Sequence, residues 1–319
     1  GHTAHATYGE AQEETIRMLN VYADFAINDG AIPVVTGRKS EAEMFAGADA
    51  SYSIEAMMGN RWALQAGTSH NLGQNFAKAF GIQYLDQGNE LQYCWTTSWG
   101  VSTRMVGAVV MVHGDDQGLI LPPRLAPHQV VIVPIYRKDD ERTLVLEVAG
   151  QVQTALKDLV RIKLDDREEQ TPGFKFNDWE MRGVPLRIEI GPRDVVSGQV
   201  VLARRDIPGK AGKEPAPLEG LADRVQALLA TIQQEMLARA RAFRDEHTFE
   251  PTDYGEFVEA IGKGFARVPW CGDAACEAEI AAETKATNRC IPFEQPEAPG
   301  VCIRCGRPAQ EVAIFARAY

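Results

Sequence analysis

The sequence predicts a protein of several domains with mixed α/β and α+β architecture. Its 319 residues are enough for two or three hydrophobic cores. From Pro127 onwards, apolar runs of strand length alternate with helical patterns, which indicates an α/β layer fold with a mainly parallel or mixed sheet. Near the C-terminal end, two closely spaced cysteine pairs indicate a small separate unit.

The first third of the chain predicts an amphipathic helix, then short strands and a buried helix. Ile16, Leu19 and Tyr22 recur at helical spacing, so we expect a helix over residues 9–29. We expect the buried helix over 103–113. The expected strands of this part are 32–36, 62–66, 93–97 and, after a turn, 119–123.

The second part, from Pro127, predicts alternating strands and helices. A continuous apolar run at 130–135 suits a buried strand, and a helix over 146–159 follows it. The composition of 206–217, rich in Pro, Gly and Lys, predicts a loop. Beyond that loop, apolar residues at helical spacing over 221–243 predict a long helix. The remaining expected strands are 160–164, 185–190 and 199–203.

Composition limits the class of protein. No apolar stretch approaches the roughly 20 residues that span a bilayer, and the first residues lack the features of a signal peptide. Six cysteines without such a signal favour a reducing setting, so we expect a cytoplasmic protein. The net charge of -11 argues against an extensive nucleic-acid-binding surface, although it allows a local basic patch.

Four cysteines near the C-terminal end have the spacing of a zinc site. Cys271 and Cys276 form one pair in W-C-G-D-A-A-C, and Cys302 and Cys305 form the other in C-I-R-C-G-R-P. Each short loop places two thiolates on one side of an ion, and the intervening segment returns with the other two. Disulfides and unrelated buried thiols are the alternative interpretations.

Two segments of the first third carry a family resemblance. They are L-Q-A-G-T-S-H-N-L-G-Q-N-F at 64–76 and S-W-G-V-S-T-R at 98–104. With G-H-T-A-H-A at 1–6 and F-A-G-A at 45–48, they resemble prolyl-tRNA synthetases of the archaeal/eukaryotic type, which also occur in some bacteria. The resemblance extends over the whole chain, including the cysteine-rich tail. It implies ATP-dependent formation of prolyl-adenylate and transfer of proline to tRNA(Pro).

The resemblance also assigns active-site residues. Arg104 matches the arginine of class II motif 3, whose guanidinium fork binds ATP phosphates in company with Mg²⁺. Taken alone, Arg104 could equally be a structural ion-pair partner. His70 taken alone could be a core histidine whose hydrogen bonds are satisfied. His2 and Phe45 match positions near the proline pocket. There they could either line the wall of the pocket or contact proline directly. The other implied residues are Gln65, Thr68 and Ser102 at the ATP site and His70 in the proline pocket.

The segment 171–194, which contains F-N-D-W-E-M-R-G-V-P-L-R-I-E-I-G-P-R-D, resembles the anticodon-binding domain of class IIa synthetases. A proline anticodon carries two guanines, whose edges an arginine fork and a carboxylate can recognise. By resemblance, Glu180, Arg187 and Arg193 occupy the reading positions. The alternative is that these charges are solvated strand ends.

The family implies three domains: a class II antiparallel-sheet catalytic domain at 1–126, an α/β anticodon-binding domain at 127–236 and a zinc-binding α+β domain at 237–319. There the four cysteines hold a structural zinc ion. Motif 1 and the motif 2 arginine are expected upstream of Gly1, and the parent enzyme is expected to be a homodimer. Two rival hypotheses are a non-catalytic tRNA-binding or regulatory fragment and a synthetase for another class IIa amino acid.

Overall fold

The computed structural model describes residues 1–319. The chain divides into two compact units, each with its own hydrophobic core. The first unit consists of Gly1–Asn28, Ile32–Val112 and Arg241–Tyr319, and the second of Asp29–Ala31 and His113–Ala240. The structure contains no helix that could span a lipid bilayer.

The N-terminal part begins with a strand and a capped helix. The Thr7 hydroxyl accepts from the amide of Glu10 at 3.2 Å, and the Glu10 carboxylate accepts from the Thr7 amide at 3.1 Å. This reciprocal pair fixes where the helix begins. The helix continues into a π-helical turn, Phe25–Asp29. The elements are β1 His2–His5, α1 Tyr8–Asp24, β2 Val34–Arg38, β3 Ala50–Met57, β4 Ala63–Gly73, α2 Asn75–Phe80, β5 Gln83–Leu85, β6 Leu91–Tyr93, β7 Trp95–Gly100 and α3 Arg104–His113.

The middle part alternates strands and helices, as the sequence predicts. Pro172 opens one helix at a position where its missing N–H costs nothing, and Thr171 caps that helix. The elements are β8 Val130–Pro134, α4 Asp139–Leu156, β9 Ile162–Leu164, α5 Pro172–Met181, β10 Leu186–Ile190, α6 Pro192–Val196, β11 Gln199–Arg204, β12 Lys213–Pro217 and α7 Leu221–Glu246.

The C-terminal part is a small α+β arrangement. Asp253 and Asp273 cap its two helices by accepting backbone N–H groups. Its core contains Phe257, Trp270 and Phe315, all buried. The elements are β13 Thr248–Phe249, α8 Tyr254–Ile261, β14 Phe265–Trp270, α9 Ala274–Thr284, β15 Thr287–Pro292 and β16 Glu311–Ala316.

A nine-stranded sheet forms the frame of the first unit. The strand order is β1-β7-β4-β3-β2-β15-β16-β14-β13, with every pair antiparallel except β13 and β14. Helix α1 covers one face, where the Ser69 hydroxyl donates to the Thr15 carbonyl at 2.7 Å. Because side chains alternate along a strand, Thr68 and His70 lie on the opposite face.

Strands from the C-terminal part extend this sheet. Strand β15 pairs with β2 through Ile291 opposite Arg38 and Pro292 opposite Gly37. A Cβ at Gly37 would collide with the Ile291 carbonyl, so glycine allows the two strands to approach. The N-terminal and C-terminal parts of the chain therefore share one sheet.

The second unit is built on a mixed five-stranded sheet. Its order is β12-β11-β10-β8-β9. Strand β8 lies parallel to both β10 and β9, whereas β11 is antiparallel to its two neighbours, β10 and β12. The core combines Ile132 and Ile188 of the sheet with Val152 of α4 and Ile232 of α7. The mixed sheet predicted after Pro127 is confirmed.

Two predictions of secondary structure are wrong. Residues 119–123 form no strand, although the amides of Leu119 and Leu121 donate to the carbonyls of Met181 and Gly183. Residues 206–217 are not simply a loop, because they contain a 3₁₀ turn at Gly209–Gly212 and strand β12. Pairing with β11 outweighs the low strand propensity of K-E-P-A-P, whose prolines lie on an edge strand.

The predicted fold class is confirmed: a large antiparallel sheet, an α/β middle part and a small α+β C-terminal part. The division into three domains at 126 and 236 stays a prediction. Strand β3, which crosses the middle of the large sheet, is the main element that sequence reasoning omitted.

Candidate functional site

One face of β3 and β4 carries a row of paired polar side chains, which we call the polar ladder. The β3 members are buried, with at most 1% of each residue exposed. Buried polar groups in a sheet are uncommon unless they are satisfied by partners, and such networks hold their members rigidly. The pairs in register are Ser51 with His70, Ser53 with Thr68, and Glu55 with Gln65.

His70 lies at one end of the polar ladder, between a hydroxyl and an aromatic ring. The Ser51 hydroxyl oxygen lies 2.8 Å from Nδ1 of His70 and accepts from the Phe45 amide at 3.1 Å. The Phe45 ring centroid is 5.1 Å from that of His70. Burial lowers the pKa of His70, which favours the neutral ring.

Arg104 lies at the other end, as the first residue of α3. Its amide donates to the Ser102 hydroxyl at 3.2 Å, and its Nη1 donates to the Gln65 carbonyl at 3.2 Å. The guanidinium is otherwise exposed and pairs with no carboxylate. Gly100, which ends β7, is in register with Thr68. The structure thus places Gln65, Thr68 and Ser102 in elements adjacent to Arg104, whose guanidinium is the available cation.

Sequence reasoning missed the β3 half of the polar ladder. The signal was present: in S-Y-S-I-E, Ser51, Ser53 and Glu55 alternate with Tyr52 and Ile54. This period of two is typical of a strand with one polar face.

The predicted zinc ligands meet at one point. The sulfur atoms of Cys271, Cys276, Cys302 and Cys305 all lie within 4.8 Å of one another. Zinc–thiolate bonds of about 2.3 Å in a tetrahedron place sulfurs about 3.8 Å apart, and the Cys271 and Cys305 sulfurs are 3.8 Å apart. All six cysteines are free thiols, and Cys290 lies outside the cluster. The donor set and its spacing fit zinc.

Arg307 brings a positive charge to this cysteine cluster. Its Nε donates to the Cys305 sulfur at 3.3 Å, and its Nη2 lies 3.7 Å from the Cys271 sulfur and 3.9 Å from the Cys276 sulfur. This guanidinium lowers the pKa of the Cys305 thiol to about 6. Burial raises the pKa of Cys276 to about 12. Metal ligation requires thiolates, so the cation favours the ligating form at the exposed cysteine.

In the second unit, two of the predicted anticodon-reading residues contact each other. The Nη1 of Arg187 donates to the Glu180 carboxylate at 2.9 Å, and its Nε donates to Glu189 at 3.0 Å. The guanidinium carbon lies 4.1 Å from the centroid of the Phe176 ring. Arg187 is therefore buried and held in one orientation on an aromatic surface.

The third predicted residue, Arg193, is exposed in α6 and follows the end of β10. Sequence reasoning missed Glu189 and Lys213 beside Arg187. Lys213 donates to both oxygens of the Glu189 carboxylate, at 2.7 and 2.9 Å. Lys213 belongs to β12, which was predicted as a loop, so no pattern placed it near β10.

Two family models match the chain. A model of the prolyl-tRNA synthetase C-terminal region matches residues 254–319, and a model of an anticodon-binding domain matches residues 129–228. The second match contains Glu180, Arg187 and Arg193, and the first contains the four clustered cysteines.

Whole proteins match along the entire chain. The proline–tRNA ligase of Chloroflexus aurantiacus is 58% identical over 320 residues, which cover 100% of this chain and 67% of that protein. The chloroplastic/mitochondrial proline–tRNA ligase of Arabidopsis thaliana is 55% identical over 327 residues, covering 100% of this chain and 60% of that protein. This chain thus corresponds to about two thirds of the Chloroflexus protein.

Solved structures agree with this match. The prolyl-tRNA synthetase of Cryptosporidium parvum complexed with L-proline and AMP superimposes with a TM-score of 0.92 at 38% identity, covering 100% of this chain and 68% of that one. The same synthetase complexed with halofuginone and AMPPNP gives a TM-score of 0.94, again at 38% identity, covering 100% of this chain and 67% of that one. The chain belongs to the prolyl-tRNA synthetase family.

Proposed function

We propose that this chain takes part in proline–tRNA ligation in the cytoplasm: ATP and L-proline form prolyl-adenylate and pyrophosphate, and the prolyl group is then transferred to tRNA(Pro). The observation that carries this proposal is the polar ladder, with His70 at one end and the exposed, carboxylate-free Arg104 at the other. Such an arrangement offers a neutral hydrogen-bonding ring and a phosphate-binding cation on one sheet face.

The chemistry needs positioning more than proton transfer. The carboxylate of proline must attack the α-phosphate of ATP, so the negative charges of both reactants have to be neutralised and aligned. Arg104 supplies a planar fork that binds two phosphate oxygens at once, and Gln65, Thr68 and Ser102 supply neutral polar groups beside it. Mg²⁺ would accompany the nucleotide and supply further neutralisation. The neutral His70 ring can form a hydrogen bond to the bound amino acid through Nε2, the nitrogen that does not contact Ser51.

The second unit would select the tRNA. The Arg187 fork, held by Glu180 on the Phe176 ring, is suited to the hydrogen-bonding edge of a guanine, and the Glu180 carboxylate can accept from base N–H groups. Arg193 supplies an exposed cation just beyond the end of β10. For the whole enzyme we propose a homodimer.

The cysteine cluster would hold a structural zinc ion. Four thiolates close the tetrahedral shell, so no position is left for water or substrate. The metal would therefore stabilise the C-terminal part of the first unit and take no part in the reaction. The three domains proposed above then have distinct roles in activation, tRNA selection and stability.

Proline-dependent ATP–pyrophosphate exchange by the 319-residue chain tests this function, with other amino acids as controls. Exchange that requires proline supports the proposal. Exchange with another amino acid contradicts it. No exchange, together with specific binding of tRNA(Pro), favours the second candidate, a tRNA-binding fragment without its own activation activity. The anticodon-binding match over residues 129–228 is the observation behind that candidate.

A further inference from the structure

Three charged side chains, including Glu55 itself, are buried together at the Glu55 end of the polar ladder. Glu55 is fully buried, and Lys39 and Arg289 are 4% and 7% exposed. The Nε and Nη2 of Arg289 donate to Oε2 of Glu55 at 3.1 and 3.0 Å. Oε1 of Glu55 accepts from the Ser53 hydroxyl at 2.8 Å and lies 3.8 Å from Nζ of Lys39. A side chain from the C-terminal part of the chain therefore binds the member of β3 that faces Gln65.

Arg289 reaches Glu55 because β15 contains a β-bulge. The register of β15 against β16 shifts between Asn288 and Cys290, which leaves Arg289 as the extra residue. Its carbonyl accepts from Nζ of Lys39 at 2.7 Å, and its Nη1 donates to the Thr287 hydroxyl at 2.9 Å. Bulges redirect side chains, and here the backbone and the guanidinium of the bulged residue are both fixed.

A second bulge lies in β4, opposite Glu55. The register of β3 against β4 shifts between Ile54 and Glu55, so Ala66 has no partner and Gln65 follows the shift. The carbonyl of Gln65 is the group that Arg104 binds. The Glu55 carboxylate thus lies where the backbone of the candidate nucleotide site departs from regular pairing.

Neutralising Glu55 does not by itself require Arg289, because Lys39 already lies within 4 Å of that carboxylate. A buried ion pair is also weak evidence for added stability, since desolvation offsets much of the attraction. What the Arg289 fork adds is orientation: two parallel N–H groups hold one carboxylate oxygen at a defined angle.

We propose that Arg289 is a positioning residue for the nucleotide end of the adenylation site, acting through Glu55 on the bulge that places Gln65 and Thr68. This inference rests on the proposed function. It makes β15, the strand that follows α9, a working part of the catalytic sheet.

The test compares Arg289→Met and Arg289→Lys with Arg267→Met. Arg267 lies in the same unit on β14 and pairs with Glu250 at 2.9 Å, remote from β4 in the sheet order. In ATP–pyrophosphate exchange, Arg289→Met should raise KM for ATP about tenfold with KM for proline unchanged, because Ser51 still holds His70. Arg289→Lys should recover part of the loss, and Arg267→Met should behave as wild type. An unchanged KM for ATP, or equal changes for both substrates, overturns the proposal.

A second measurement does not depend on activity. In hydrogen exchange of the 319-residue chain, amides of residues 65–69 should exchange at least tenfold faster in Arg289→Met than in Arg267→Met. Unchanged exchange at 65–69 overturns the positioning role even if proline activation is absent, so the two proposals can fail separately.

Loss of folding is controlled by measuring exchange at every amide of the first unit. Arg289→Met leaves Glu55 with Lys39 as its counter-ion at 3.8 Å, so the variant should stay folded, with faster exchange confined to residues 65–69 and their neighbours in the sheet. If exchange accelerates equally in all strands of the first unit, Arg289 is only a partner for a buried charge and the proposal is wrong.

Discussion

The Ser51 hydroxyl connects two residues of the candidate proline pocket. Its oxygen lies 2.8 Å from Nδ1 of His70 and accepts a hydrogen bond from the Phe45 amide at 3.1 Å. A single buried oxygen thus contacts both the histidine ring and the backbone of the aromatic residue. The hydroxyl comes from β3 and the histidine from β4, so the strand register determines this contact.

We therefore expect Ser51→Ala to weaken proline binding. Loss of the hydroxyl frees the His70 ring and leaves the Phe45 amide without its acceptor, so KM for proline should rise about tenfold, equivalent to about 1.4 kcal/mol. The matched control is Ser69→Ala, since Ser69 is equally buried in the same sheet but bonds to Thr15 on the other face. A Ser51→Ala enzyme with wild-type KM for proline would remove Ser51 from the site.

Metal analysis should give one zinc ion per chain, and Arg307 should slow its loss. Arg307→Ala removes the cation that contacts three ligand sulfurs, so transfer of zinc to a chromogenic chelator should accelerate about tenfold. Arg304→Ala is the control, because Arg304 pairs with Glu279 and Glu283. Equal release rates for the two variants would show that Arg307 has no role at the cluster. Absence of zinc, or disulfide-linked cysteines, would exclude the metal site.

Arg187→Met should reduce the affinity for tRNA(Pro) by about 10- to 100-fold, the range for losing one base-specific fork. Binding of tRNA(Pro) and of a transcript with altered anticodon guanines should be compared by filter retention. Arg182→Ala, a change at an exposed arginine that lies over Trp179, should leave the preference intact. If Arg187→Met keeps the wild-type preference between the two RNAs, Arg187 does not read the anticodon.

The second unit should lose stability at acidic pH through His113. Burial lowers the pKa of His113 to about 4, against 6.5 in the unfolded chain. The unfolded state binds this proton more readily. The contribution of neutral His113 to the free energy of unfolding is therefore fully present above pH 6.5 and is lost as the pH falls towards 4. His113→Gln cannot titrate and can still donate to the Gly30 carbonyl, which lies 2.9 Å from Nε2. Between pH 7.5 and 4.5, wild type should lose on the order of 2 kcal/mol more than this variant. If denaturation shows that wild type and His113→Gln lose the same unfolding free energy between the two pH values, this assignment is contradicted.

Local patterns in the sequence were sufficient for the elements whose signals are local. The cysteine spacing identified a cluster that the structure brings within 4.8 Å, and apolar periodicity located α1, α3 and α7. The pairing of β2 with β15 could not be predicted in this way, because it joins residues about 250 positions apart in the chain, such as Arg38 and Ile291. Strand β12 was missed because pairing with β11 overrides its composition.

The residues of the candidate site likewise fall into those that local patterns identify and those that they do not. His70 and Arg104 lie within recognisable segments, whereas Ser51, Glu55 and Arg289 acquire their roles only from register and bulges. A bulge shifts which residue faces which, and a single sequence carries little sign of it.

The central claim is that the sheet face bounded by His70 and Arg104 activates proline. Its most direct measurement is proline-dependent ATP–pyrophosphate exchange by Arg104→Ala in the intact enzyme, with Arg17→Ala, a change on the exposed face of α1, as control. Loss of the phosphate-binding cation should reduce exchange by at least about 10²-fold, while Arg17→Ala should retain wild-type exchange. Near-normal exchange in Arg104→Ala would contradict the account.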